Sequence, residues 1–417
     1  PPRSPAPVPP GDGVIGPALP AVLLAVALLL AGCPQAHPPA APSTTSGPAP
    51  TMAPTTSTLL SPPRKGDVPP DHATGSVVGI GDVGALWFLD RTHGFGEVGW
   101  RLVRSDDAGR TWRVTGNQIP PDELNYLPGS TVFTSLSEGY LFGRGLRVTH
   151  DGGMTWTDPH LAPYDDYYEG HRDGEILALQ ARGQSVWLLM RCADSYSCAD
   201  LFVSDDAGAT WRKQSTANLD VATPADLVRG SDTAGYAVGA AGLEEGTADF
   251  VAHHHVAVTG DGGRTWTYRE DPCQQTLVER LAGDAAAHLW LVCGGQGATA
   301  EEGKEVYRSD DGARHWRLMS SVLSGGTDVG LLPASGGVSR LLAVSGQRAY
   351  LGLSRSTQIQ TIDGGRTWRP SFPAPADEGG EPINFVDPTH GWGIGDQSVY
   401  RTTDGIHWTR LAIPGPP

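Results

Sequence analysis

Aspartate recurs with a fixed set of neighbours seven times along this chain, at Asp107, Asp151, Asp206, Asp261, Asp311, Asp363 and Asp404. A serine or threonine stands two residues ahead of each, from Ser105 and Thr149 to Thr402, and a tryptophan follows at Trp112, Trp156, Trp211, Trp266, Trp316, Trp368 and Trp408. Carboxylate and hydroxyl oxygens at such spacing are what calcium sites and acid–base catalysts use. Sevenfold recurrence points elsewhere. A turn built into every unit of a repeat needs the same hydrogen bonds each time, and Asp with Ser/Thr bonds turn amides that are otherwise orphaned. Glycine supplies the positive-φ position of such a turn and tryptophan a large apolar face. We therefore read the seven aspartates as turn-stabilising devices. No catalytic residue and no metal ligand is assigned among them.

A second group of chemistry-bearing residues is unevenly spread. Tyr164, Asp165, Asp166, Tyr167, Tyr168 and Glu169 form one cluster, with Asp158 and Asp173 around it. Asp194, Tyr196 and Asp200 follow, then Glu244 and Glu245, then Glu301, Glu302 and Glu305. Tyrosine beside carboxylates suits a sugar, a cation or a basic protein surface. His253 and His255 share a face if their segment is a strand, the spacing of two metal ligands, but no third ligand can be named. An ordinary half-exposed strand is the expectation there.

The elements that must position these residues show in the last repeat. Ile383–Asp387 alternates as a strand, Pro388–Gly391 turns, and Trp392–Gly395 and Ser398–Thr402 are further strands. The aspartate phrase is then a hairpin and Trp408–Ala412 a fourth strand. Each repeat also carries one second-strand aromatic: Phe95, Tyr140, Trp187, Tyr236, Trp290, Tyr350 and Trp392. Four strands in about 50 residues is the blade of a β-propeller. The reading is all-β: a seven-bladed β-propeller over 75–417, with four-stranded antiparallel blades and an aspartate phrase in each third-to-fourth strand hairpin. Val77-Val78 is expected to add a strand beside Trp408–Ala412.

Antiparallel order puts the aspartate hairpins and the first-to-second turns on one face. The second-to-third turns and the links between blades fall on the other. From second-strand aromatic to aspartate the spacing is 12, 11, 13 and 12 residues in blades one, two, six and seven, but 19, 25 and 21 in blades three, four and five. Three adjacent blades thus extend acidic loops onto one sector, with the Tyr164–Glu169 link beside them. Long loops on a rigid scaffold are where binding residues concentrate. Cys192 and Cys198 flank the blade-three turn, while Cys273 and Cys293 fall on the same face. Disulfides Cys192–Cys198 and Cys273–Cys293 are expected, each pinning a loop of this sector.

The phrase Ser/Thr-x-Asp-x-Gly-x-Thr-Trp is similar to the Asp box, or BNR repeat, shared by sialidases, sortilin-type receptors, some endoglucanases and the photosystem II stability/assembly factor family. Ala313 replaces the glycine in one copy and the last copy is one residue short. The resemblance implies boxes on the outer rim, away from ligand. A sialidase needs an arginine triad, a tyrosine nucleophile with its glutamate, and an aspartate acid/base. Its Arg-Ile-Pro is matched here only by Gln118-Ile119-Pro120, after the first box and without the arginine. The overall resemblance is to photosystem II stability/assembly factor-like proteins, through the boxes, the blade count, the leader and the Asp-x-x-x-Gly-aromatic phrase at Asp90–Phe95 and Asp387–Trp392. That family acts by binding other proteins.

The leader is the stretch Val14–Gly32, uncharged, with Ala21–Leu30 continuously apolar and ending at Leu30-Ala31-Gly32-Cys33. It resembles a bacterial lipobox, which implies lipidation of Cys33 after cleavage of a signal peptide, residues 1–33. An uncleaved membrane helix is the competing reading, against which Pro17 and Pro20 argue. Residues 34–74, rich in Pro, Ala, Ser and Thr, read as a disordered tether. With Cys33 set aside, four of the five cysteines remain to pair, as an oxidising compartment allows.

Formal net charge is −16 and only three residues are lysine, Lys65, Lys213 and Lys304, so nucleic acid is not expected as a partner. No cofactor is expected. The reading is an exported globular head on a lipid anchor at the outer face of a bacterial cytoplasmic membrane. It is expected to be a monomer that binds a protein or glycan without catalysis. The alternative is a glycoside hydrolase, sialidase-like or with two carboxylates, on the same scaffold.

Overall fold

The computed structural model describes residues 77–78, 83–98, 101–118, 131–142, 145–159, 161, 175–192, 198–215, 217, 219–221, 225–239, 242–243, 250–251, 255–273, 278–285, 288–295, 303–322, 328–354, 358–371, 383–395 and 398–411. The expectations for residues 1–74, Cys33 included, lie outside them. All regular elements described are strands, arranged as a seven-bladed propeller of antiparallel sheets.

Blade five shows the pattern: Val278–Ala285, His288–Gly294, Lys304–Ser309 and Arg317–Val322 pair in chain order. First strands of consecutive blades meet around the centre. Middle strands are covered on both sides by neighbouring blades. Gly235–Gly239, Ala349–Leu353 and Gly391–Gly395 are accordingly buried at every position, while the outer strands Arg212–Lys213 and Arg369–Pro370 are exposed. This is why the second strands do not alternate in polarity as a half-solvated strand does.

Two blades differ from the expected plan. Among the described residues blade two shows three strands, Thr131–Phe133, Gly139–Phe142 and Leu146–Thr149, with its fourth reduced to a single bridge between Val148 and Thr157. Pro159 stands two residues beyond Thr157 and has no amide to extend the ladder. Blade four carries an extra hairpin, Gly242–Leu243 with Phe250–Val251, between its second and third strands.

Seven apolar clusters each span one blade junction, and each contains a second-strand aromatic. Phe95 packs with Phe133 and Leu141, Tyr140 with Leu188 and Phe202, and Trp187 with Leu227 and Ala237. Tyr236 packs with Leu281 and Ala313, Trp290 with Ala349 and Leu351, and Tyr350 with Ile383 and Tyr400. The seventh cluster closes the ring, joining Trp392 and Ile394 to Leu86, Val103 and Trp112. Phe88 stacks on Trp392 at 3.8 Å, and its amide donates to Asn384 Oδ1 at 2.8 Å. Closure is therefore by packing between complete blades. Val77–Val78 does not lie beside Trp408–Arg410, as expected from sequence. It pairs with Trp112 and Arg113 and adds a fifth, outermost strand to blade one. Among the described residues the fourth strand of that blade, Trp112–Gln118, is the longest of its kind and offers the edge this pairing uses.

The boxes are hydrogen-bonded as their residue types require. In the third, Ser204 Oγ donates to Asp206 Oδ1 (2.8 Å) and accepts the Gly208 amide (2.8 Å). Asp206 then accepts the amide and hydroxyl of Thr210 at 2.8 and 2.6 Å, and the Trp211 indole donates to the Gly208 carbonyl. In the fifth and seventh boxes a histidine replaces threonine: His315 and His407 place Nδ1 2.6 Å from Asp311 and Asp404. Each full-length box has two consecutive positive-φ residues where the sequence suggested one, and alanine takes one of them at Ala108, Ala207 and Ala313. Trp112 and Trp368 are buried; the other box tryptophans are half-buried.

Candidate binding site

The two faces are fixed by hydrogen bonds between turns. Box amides donate to first-to-second turn carbonyls: Ala108 to Thr92, Gly152 to Ser137, Ala207 to Gln184, Gly262 to Thr233 and Gly364 to Gln347. Boxes and these turns therefore share a face, and the second-to-third turns and interblade links occupy the other.

Both expected disulfides are present on that other face, Cys192–Cys198 and Cys273–Cys293, with Cα separations of 5.5 and 5.4 Å. The first closes the blade-three turn, where the Cys192 amide also donates to the Cys198 carbonyl. Most of the acidic sector named from sequence lies outside the described residues: Tyr164, Asp165, Asp166, Tyr167, Tyr168, Glu169 and Asp173, then Asp194, Tyr196, Glu244, Glu245, Glu301 and Glu302. Two of its described members, Asp200 and Glu305, are corrections. Asp200 is not a loop residue; it sits in the third strand of blade three, Ala199–Ser204, 2% exposed and 2.8 Å from Lys213 Nζ. Glu305 likewise belongs to a strand and pairs across the sheet with Cys293. Asp158 is held by Arg147. For Asp200 and Glu305 the length of the strand was underestimated, so residues at its end were assigned to the turn. Of the two histidines, His253 is outside the described residues, and His255 is engaged with the Asp220 carbonyl at 2.8 Å and the Tyr268 ring.

The structure adds a site the sequence reading missed. First strands of blades three to six, with Phe142 of blade two, line a cavity of about 460 Å³ at the centre of the ring. Asp226 and Arg229, in Ala225–Arg229, and Arg340, in Val338–Ala343, are its charged lining residues. Arg340 is reached by solvent yet ringed by protein, and burial pulls its pKa down while Asp226 opposes that shift. Burial raises the Asp226 pKa, against the charges of Arg280 and Arg340 and the Leu281 amide, which donates to its Oδ2 at 2.9 Å. Arg280 reaches the Ser339 carbonyl at 3.2 Å, tying blade five to blade six. The signal was present: Val278-Glu-Arg-Leu281 and Val338-Ser-Arg-Leu341 place arginine at the same point of consecutive first strands. In an acidic chain, this arrangement presents the Arg340 guanidinium to an anionic or hydrogen-bond-accepting ligand.

Buried polar groups also gather near the Cys273–Cys293 bridge. Asp271 and Glu279 are 4% and 3% exposed, and burial raises the pKa of both; the Asp271 charge raises that of Glu279 further. Lys304, fully buried, donates to the carbonyls of Ala334 and Gly336 at 2.8 Å each, fastening the link into blade six. Carboxylates shut in this way are not placed to reach a polysaccharide.

No family model matches the chain, and no curated protein matches it in sequence. Solved structures do match in shape. YCF48 bound to D1 peptide is 18% identical with a TM-score of 0.51, over 80% of this chain and 98% of that one. YCF48 from Cyanidioschyzon merolae is 15% identical with a TM-score of 0.51, over 80% and 99%. An ancestral GH74 enzyme is 12% identical with a TM-score of 0.54, over 81% of this chain and 47% of that enzyme. At these identities the likeness establishes the propeller fold, common to a peptide-bound protein and a hydrolase.

Proposed function

We propose that this chain is a non-enzymatic binding module that holds a protein or glycan partner on the face opposite the Asp boxes. The observation that carries this reading is the central cavity of about 460 Å³, lined by first strands and bearing Asp226 and Arg340. A cavity walled by strands and carrying fixed charges suits recognition, because little ordering is needed on binding. Lipidation of Cys33, with residues 34–74 as tether, would present this face outside the cytoplasm as a monomeric head. The solved YCF48 structure with D1 peptide supports the protein-partner branch as an analogy of fold.

The test is in-cell crosslinking followed by pull-down with the head, comparing wild type with Arg340→Ala and with a variant lacking Tyr164–Glu169. Loss of a specific prey in either variant is expected; identical prey in all three overturns the proposed face. Turnover of a fluorogenic glycoside panel by the soluble head would overturn the non-enzymatic reading. Fractionation of Cys33→Ala reports the anchor: release from the membrane is expected, and retention favours an uncleaved helix.

A further inference from the structure

We propose that Asp271 and Glu279, at the disulfide-bridged start of blade five, form a binding site for a hard divalent cation of the Ca²⁺ or Mg²⁺ class. Asp271 follows the last strand of blade four, Thr267–Glu270, and Glu279 lies in the first strand of blade five, directly across from Cys293. Two blades and one disulfide thus bring the carboxylates together. One oxygen each from Asp271 and Glu279, and Cys273 Sγ, lie within 4.8 Å of one another. That is the spacing of atoms sharing one ion's coordination sphere.

The second observation concerns Asp271 alone. Its Oδ1 accepts the Cys273 amide at 2.7 Å, which orients the carboxylate, while its Oδ2 is buried and accepts no hydrogen bond. An oxygen in that position requires a positive partner or a proton. The His255 ring, which acts on Asp271, is already committed to Asp220.

Ligand chemistry selects the ion. Cys273 is oxidised, so its sulfur carries no thiolate charge and the site offers oxygen only. Oxygen donors suit Mg²⁺ and Ca²⁺, and Mg²⁺ in particular is held through one or two carboxylates with waters completing its shell. Zinc, which favours thiolate and imidazole, is disfavoured. Tyr307 packs against the apolar cluster that contains Cys273 and Cys293, so it serves as a local reporter.

The experiment uses the full chain, stripped with EDTA and titrated with Tb³⁺ under tyrosine excitation. Competition with CaCl₂ and MgCl₂ follows at constant ionic strength. The expected result is one saturable Tb³⁺ site, displaced by Ca²⁺ or Mg²⁺, with affinity lowered about tenfold or more by Asp271→Asn and by Glu279→Gln. Tyr307→Phe should dim the emission without weakening binding, and it keeps the test open if the carboxylate variants fail to fold. Absence of a saturable site, or equal Tb³⁺ affinity in wild type and both carboxylate variants, overturns the proposal. So does an emission unchanged by Tyr307→Phe. A Tm raised equally by Glu279→Gln with and without cation would assign the pair a shared proton instead.

Discussion

The indole of Trp392, in the second strand of the last blade, donates to the main-chain carbonyl of Ala108 in the first aspartate hairpin at 2.9 Å, across 284 residues of sequence. This bond and the Phe88–Trp392 stack do the work that a shared strand does in propellers whose termini complete one blade. Trp392→Ala should cost about 3–5 kcal/mol, because it opens a cavity in the closing cluster and strips the Ala108 carbonyl of its donor. Val78→Pro, which disturbs only the added edge strand, should cost under about 1 kcal/mol. Urea denaturation of both variants checks this; the reverse order would mean that the edge strand closes the ring.

The paired positive-φ residues of the boxes give a second expectation. Ala207 holds φ at 56° and Gly208 at 87°. Ala207→Gly removes a Cβ from a left-handed backbone and should stabilise by about 0.5–1 kcal/mol. Gly208→Ala does the opposite and drives a new Cβ to 2.8 Å from the Tyr140 ring, so a loss of about 1–3 kcal/mol is expected. Equal and small effects in calorimetry would show that the turn relaxes freely.

Much of this architecture is legible in the sequence because each blade repeats its own reasons. The aspartate hairpins and the second-strand aromatics follow from local residue types at a fixed period, and the disulfide pairing from strand ends that share a face. What was not legible depends on neighbours distant in sequence. Asp200 read as a loop carboxylate until the strand around it and Lys213 Nζ were seen together. Arg280, Arg340 and Asp226 meet only because first strands of separate blades converge, which no single repeat reveals. Val77–Val78 could pair with either terminal blade on pattern alone, and the open edge of Trp112–Gln118 decided it.

Acid should loosen the molecule through the boxes. Hydrogen bonds from the Thr265 hydroxyl and amide lower the Asp261 pKa to about 2, and those from Thr210 lower that of Asp206. A carboxylate with a depressed folded pKa contributes stability that is fully present above its unfolded value, about 3.9, and is lost as pH falls through the folded one. Stability by urea titration should therefore drop between about pH 4 and pH 2. Asp261→Asn should flatten that slope while lowering stability at neutral pH. A slope unchanged by the substitution would remove the box from the acid response. The exposure of Asp206 and Asp261 keeps each contribution small, so the cumulative effect of the repeated boxes is what the titration reads.

The two disulfides should differ in worth because they close loops of different length, with sequence separations of 6 and 20. Chain-entropy reasoning gives about 2 kcal/mol for Cys192–Cys198 and about 3 kcal/mol for Cys273–Cys293. The second also lies among buried carboxylates: Cys273 supplies the amide that Asp271 accepts, and Cys293 faces Glu279 across the sheet. Paired serine substitutions at 273 and 293 should thus exceed the entropic difference, since the link into blade five loses its tether while Asp271 and Glu279 remain buried. Paired serines at 192 and 198 should leave the rest of the ring intact, because that loop ends in a hairpin already hydrogen-bonded between Cys192 and Cys198. Denaturation of the two double variants under non-reducing conditions measures both. Equal losses would mean that the carboxylates gain nothing from the bridge beside them.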